Sequence, residues 1–241
     1  MLRRTRLLFV GDSVTAGHGL VGAPAYPQLV AGRLAERGLD VEVLVDALDG
    51  ADSAYVLKRF DRMVTSHDPD WVVVSLGLND ARPPRFGIGG GAPSQIGATQ
   101  PRPPRAAAQF VANMLAIVDR LLAIGARPVL LVPTPRFDSE DSGSPDRGSL
   151  MAPYVAALRE LANTLRLPTI DVYQALLAEP DLAELIPDGV HAGKEGHAAI
   201  ADVVTEELLT ILAGTETGSG AEKVEGDEAI EPPSSSRTAS R

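Results

Sequence analysis

The sequence contains no cysteine, which removes disulfides, thiolate nucleophiles and zinc–cysteine sites together. This is compatible with a cytoplasmic location, the expectation adopted here. Basic charge is scarce: 22 Lys and Arg stand against 32 Asp and Glu, a formal net charge of −10. A chain of that balance has little basic face with which to neutralise phosphates, so nucleic acid is set aside as a general partner. Aromatic residues make up 4%, too few for an evident sugar-stacking platform, and no long apolar lid helix argues for a triglyceride lipase. No segment approaches the roughly 20 apolar residues needed to cross a bilayer, so no membrane span is expected. The basic residues 1–6 precede an apolar run that ends at Val10, too short for the core of a secretory signal.

What remains is an ordinary composition for a soluble globular protein. The chain has 241 residues, 44% hydrophobic and 22% charged, enough to bury one sizeable core. One domain is expected over residues 1–213, with a disordered tail over 214–241 where Gly, Ser, Thr, Pro and Glu dominate. No internal repeat is visible.

The organising stretch is RLLFVGDSVTAGHGL, residues 6–20. Leu7, Leu8, Phe9 and Val10 form an apolar run without alternation, as in a strand buried on both faces of a parallel sheet. Gly11 and Asp12 break the strand and Ser13 follows, at the kind of sheet edge where open α/β sheets present loops to ligands. Taken alone, Asp12 and Ser13 read as a helix cap. Further strands are predicted at 41–45, 71–76, 127–132 and 168–172, with helices over 24–37, 51–67, 106–124, 150–165 and 194–212 and one or two short helices within 173–186. The alternation implies a three-layer α/β/α sandwich around a five-stranded parallel sheet. Its strand order is taken as 2-1-3-4-5 by analogy with flavodoxin-like sheets. Two loops leave the functional rim: a Gly/Pro-rich one over 81–105, read as a lid, and a polar one over 136–149. Arg82, Arg85, Arg102 and Arg105 flank the first, where a solvated loop outweighs an anion-binding one.

Two other segments complement Ser13. Asp188-Gly-Val-His191 lies in a turn before the last helix, and an Asp three residues before a His can accept from Nδ1 while Nε2 faces a serine. Of the four histidines, His18, His67 and His197 are weaker candidates, and His197 reads either as packing or as a residue supporting the site from behind. Gly77-Leu-Asn79-Asp80 follows the central strand, where an Asn amide can donate to an oxyanion or merely form a turn. GxGxxG occurs at Gly17, Gly19 and Gly22, but in a dinucleotide fold the first Gly follows the strand directly, whereas six residues separate Val10 from Gly17.

Together these blocks resemble the SGNH or GDSL-type serine hydrolases. Gly11-Asp-Ser13-Val-Thr-Ala-Gly17 is similar to the first block, Gly77-Leu-Asn79-Asp80 to the third and Asp188-Gly-Val-His191 to the fifth, and the likeness covers about residues 6–212. The resemblance implies a carboxylic ester hydrolase acting on a small-molecule ester, short-chain acyl or acetyl, through an acyl-enzyme, with no cofactor or metal required. It assigns Ser13 as nucleophile, His191 as base and Asp188 as its orienter. The oxyanion donors are the Ser13 N–H, Asn79 and a backbone N–H of the second block, with Asp12, Gly77 and Asp80 supporting. In that block the family carries a glycine; the alignment puts Ala47 there, with Gly50 matching a later glycine of the same loop. An acyltransferase with the same triad, or a non-catalytic binding protein on the same fold, would present the same residues. Oligomeric state is not legible.

Overall fold

The computed structural model of the chain describes residues 3–81, 106–137 and 151–216. The expected lid, except Ala81, the polar loop beyond Phe137, the four arginines of the long loop and the tail beyond Glu216 lie outside these residues. Five strands form one parallel sheet: β1 (Thr5–Gly11), β2 (Val41–Ala47), β3 (Trp71–Ser75), β4 (Arg127–Val132) and β5 (Thr169–Asp171). Their order is β2-β1-β3-β4-β5, as expected from the sequence, with helices on both faces.

The strands form where apolar β-formers run without interruption. Leu7 to Val10 and Val72 to Val74 are almost wholly buried, because β1 and β3 are covered by helices above and below. Strand β2 is half-buried throughout, in keeping with its place at the sheet edge. Register is what builds the rim: Gly11 pairs with both Ala47 and Ser75, and Ser75 with Leu131. The carboxyl ends of the central strands therefore finish level, and the segments starting at Asp12, Leu48, Leu76 and Pro133 emerge side by side, as open α/β sheets require of a ligand site.

After β1 comes the short helix α1 (Ser13–Ala16), then α2 (Tyr26–Glu36). Helices α3 (Ser53–Lys58) and α4 (Phe60–Met63) and a 3-10 turn at Thr65–His67 lie between β2 and β3. The single helix expected over 51–67 is thus divided. Arg59 leaves helical geometry at φ −112°, ψ 21°, and its guanidinium stacks on Tyr55, 4.2 Å from the ring centroid. The remaining helices are α5 (Ala107–Ala123), α6 (Ala152–Leu165), α7 (Val172–Leu177), α8 (Leu182–Leu185) and α9 (Lys194–Glu216). The last of these runs three residues past the domain end expected at 213. Among the described residues no helix is long and apolar enough to cross a membrane.

Helices α2 and α9 pack on one another, while α5 packs against α3 and α6. His197 joins the first pair: buried on α9, its Nδ1 accepts the Tyr26 N–H at 3.1 Å. Of the two roles the sequence left open for it, this is packing. Burial pushes the His197 ring down to about 4, so it stays neutral and can serve as acceptor there.

Candidate active site

Ser13 is the first residue of α1, whose N-cap is Asp12; the Asp12 carboxylate accepts from the Val14 N–H at 3.0 Å. Helix α1 lasts one turn and ends at Gly17 in the left-handed region, whose N–H returns to the Ser13 and Val14 carbonyls. The turn leaves no room for a side chain at Gly11, since a Cβ there would overlap the Thr15 side chain. Thr15 is held in turn by the Tyr26 hydroxyl at 3.0 Å. These contacts fix where the Ser13 hydroxyl emerges. At the first helical position the Ser13 N–H has no intrahelical acceptor.

The structure brings the predicted trio together across 178 positions of sequence: His191 Nε2 lies 3.1 Å from Ser13 Oγ. On the other side of the ring, His191 Nδ1 lies 2.7 Å from Asp188 Oδ2. The second oxygen of Asp188 accepts the Val190 N–H at 2.8 Å and the His191 N–H at 2.6 Å. Burial alone would raise the Asp188 pKa. The bond to the His191 ring, the two backbone N–H donors and the charge of His191 outweigh it, holding the carboxyl well below the usual carboxylate range. The turn is anchored to the β4 exit, where the Phe137 N–H donates to the Gly189 carbonyl at 3.0 Å. A hydroxyl, an imidazole and a carboxylate thus stand in one hydrogen-bonded line, an arrangement able to take a proton from the hydroxyl.

Asn79 is turned toward the same turn. Its Nδ2 donates to the Ala51 carbonyl at 3.0 Å and lies 3.5 Å from Asp12 Oδ2. Asp80 points away and is wholly buried, accepting the Ser53 N–H at 3.0 Å and the Ser53 hydroxyl at 2.6 Å, while Asn113 donates to that hydroxyl at 2.8 Å. It braces the loop. Gly77, with φ at +135°, takes a backbone conformation that other residues rarely adopt, and the turn closes with the Ala81 N–H on the Gly77 carbonyl at 2.9 Å.

Ala47 is placed differently from the expectation. The Leu48 N–H donates to the Gly11 carbonyl at 3.2 Å, with Gly11 opposite Ala47 in the ladder. In a parallel pair Gly11 therefore bonds to the residues flanking Ala47, and the Ala47 N–H faces the open edge of β2, away from Ser13. Gly50 lies further round the same loop with φ at +80°, which favours glycine. Its N–H makes no hydrogen bond among the described residues, and its neighbours Asp49 and Ala51 are tied to His18 and Asn79 respectively.

Asp12 is 1% exposed. Burial drives its pKa up to about 7, against the opposing pull of the Val14 N–H and the His191 charge and with a further push from the Asp80 carboxylate. An acid with a raised folded-state pKa holds its proton in the folded state after the unfolded chain has lost it. Folding stability from this group accordingly falls as pH rises from about 4 to about 7. Asp12→Asn keeps a capping side chain without the charge. Its stability relative to the parent protein is expected to rise across that window, by on the order of 4 kcal/mol at most, as read by urea unfolding at several pH values; a flat difference contradicts it.

Sequence reasoning named His18 only as a weaker candidate and passed over Asp49 and Arg136 on this rim. His18 and Asp49, 31 positions apart, form a second His–Asp pair beside His191. Arg136, buried, donates to the Leu78 carbonyl at 3.2 Å and ties the β4 exit to the Asn79 loop. No spacing rule joins these residues in one dimension. Among the described residues no group of three or more His, Asp or Glu could hold a metal ion.

Solved structures share the fold. A lipase/acylhydrolase from Enterococcus faecalis superposes with a TM-score of 0.67 at 22% identity, covering 86% of this chain and 96% of that one. The acetylxylan esterase Axe2 from Geobacillus stearothermophilus gives 0.66 at 20% identity, covering 85% and 94%. Among curated proteins, an arylesterase from Vibrio mimicus is 35% identical over 75 residues, 31% of this chain and 38% of that protein. Esterase TesA from Pseudomonas aeruginosa is 37% identical over 90 residues, 37% of this chain and 42% of that protein. The matched region thus spans about two fifths of these curated relatives. Over residues 9–199 the sequence matches the GDSL-like Lipase/Acylhydrolase family. With the serine turn, the Asn79 loop and the Asp188–His191 turn on one rim of its sheet, the chain belongs to that family of carboxylic ester hydrolases.

Proposed function

We propose that the protein is a serine esterase that hydrolyses short-chain acyl or acetyl esters through an acyl-enzyme. The observation that carries this reading is the unbroken line from Ser13 Oγ through the His191 ring to Asp188, at 3.1 and 2.7 Å. His191 Nε2 takes the proton of Ser13 as Oγ attacks the ester carbonyl, and the imidazolium is balanced by Asp188. The same proton then passes to the leaving alcohol as the C–O bond breaks. Water, deprotonated by His191, releases the acid and restores Ser13.

The developing oxyanion is received by the Ser13 N–H, the Asn79 amide and a backbone N–H of the loop after β2, for which Gly50 replaces Ala47. Supporting Gly50 are its left-handed backbone, its N–H, which makes no hydrogen bond among the described residues, and its place between residues tied to His18 and Asn79. Asn79→Ala is expected to lower kcat about 100- to 1000-fold with KM little changed, because the lost donor acts on charge present only in the transition state. An equal loss expressed wholly in KM contradicts that role.

The substrate class draws support from relatives named arylesterase and acetylxylan esterase. A series of p-nitrophenyl esters from acetate to palmitate tests it, with Ser13→Ala as control. Rates should be highest for the shortest acyl chains. A maximum at palmitate overturns the short-chain reading, and turnover that survives Ser13→Ala overturns the serine mechanism.

A further inference from the structure

The two hydrogen bonds of the His191 ring do not by themselves fix its plane. Bonds at Nδ1 and Nε2 fix two points on the ring edge, but the ring can still rock about the line joining them. Its side chain is 24% exposed, so surrounding packing covers it incompletely. What stands against one face is His18. The two ring centroids are 4.4 Å apart with planes inclined by 37°, contact distance for an offset aromatic pair.

His18 is itself 41% exposed and would be mobile without a tether. Two contacts provide one. Its Nδ1 lies 2.6 Å from Asp49 Oδ2, on a carboxylate whose side chain is only 20% exposed, and its backbone N–H donates to the Ser13 carbonyl at 2.9 Å. The ring that backs His191 is therefore fixed on one side to the nucleophile's own turn and on the other to the loop carrying Gly50. Asp188 holds His191 at its edge; Asp49, acting through His18, holds it at its face.

We propose that His18, pinned by Asp49, is a positioning residue that keeps the His191 ring aligned on Ser13 Oγ. The inference rests on the serine esterase reading above. Misalignment of a general base affects the chemical step and leaves substrate binding largely intact. The signature is therefore a fall in kcat with little change in KM.

The test compares four variants of the full chain on p-nitrophenyl acetate. Ser13→Ala first establishes that turnover depends on the serine; turnover that survives overturns the esterase reading and this proposal with it, whereas the outcomes for the other variants bear on His18 alone. Given that dependence, His18→Ala should lower kcat about tenfold or more with KM within about twofold. His18→Phe, which keeps an aromatic face without the Asp49 bond, should recover part of the loss. Asp49→Asn, which leaves the ring but weakens its tether, should fall between the parent protein and His18→Ala. A loss confined to kcat, with KM and the midpoint of thermal unfolding close to those of the parent protein, is what a merely structural loss would not produce. Unchanged kcat in His18→Ala overturns the proposal, as does an equal loss in His18→Ala and His18→Phe, which would make the Asp49 bond and not the ring the operative feature.

Discussion

Ser13→Ala is expected to lower kcat/KM for p-nitrophenyl acetate by a factor of about 10⁴ to 10⁶, on the order of 5 to 8 kcal/mol of transition-state stabilisation. The substitution deletes a single oxygen whose side-chain partner is His191 Nε2 at 3.1 Å. Alanine is a good helix former at the first position of α1, and the cap is supplied by Asp12, which is untouched. The fold should therefore survive: far-UV circular dichroism and the midpoint of thermal unfolding should stay close to those of the parent protein. The residual rate should come from the oxyanion donors and from binding, which do not need the hydroxyl. A variant that is folded and retains more than about a tenth of the parent rate would remove Ser13 from the nucleophile's role.

Asp188→Asn is expected to cost about 10³ to 10⁴ in kcat, comparable to the same change in other Ser-His-Asp hydrolases. The reason lies in the backbone. Asp188 Oδ1 is committed to the N–H groups of Val190 and His191, so an Asn side chain must leave its carbonyl oxygen there and turn its NH₂ toward His191. An NH₂ facing Nδ1 requires Nδ1 to be the acceptor, which places the ring proton on Nε2. That nitrogen then has no lone pair for the Ser13 proton. The Asp188 side chain is 55% exposed, so stability should change little. In the parent protein the carboxyl is held well below its ordinary range, so mild acid should not reduce activity by protonating Asp188. Near-parent kcat in Asp188→Asn would mean that His191 is not oriented through this carboxylate.

Much of the architecture was legible because its causes are local. Unbroken apolar runs at Leu7–Val10 and Val72–Val74 announce strands covered on both faces, and those residues are buried accordingly. The five-strand order, taken by analogy, is the one observed. Division of the 51–67 helix at Arg59 left no trace, since the break involves neither glycine nor proline and goes with a stacking contact on Tyr55. At the site, Ser13, Asp188 and His191 could be picked out because Asp188 and His191 share a single turn and Ser13 sits at a strand end. Ala47 shows where one dimension fails. Which N–H in the loop after β2 turns inward depends on the phase of hydrogen bonding between β1 and β2, and that phase points the Ala47 N–H to the sheet edge. The His18–Asp49 pair was invisible for a related reason: its members meet only because β1 and β2 end level.

Ser13, His191 and Asp188 should behave as one unit, and covalent labelling reads that unit directly. Intact protein treated with a fluorophosphonate and then digested should carry one adduct, on the peptide containing Ser13. The adduct should be absent in Ser13→Ala and form far more slowly in Asp188→Asn. An unlabelled protein, or an adduct on any other residue, would contradict the assignment of Ser13 as the activated nucleophile.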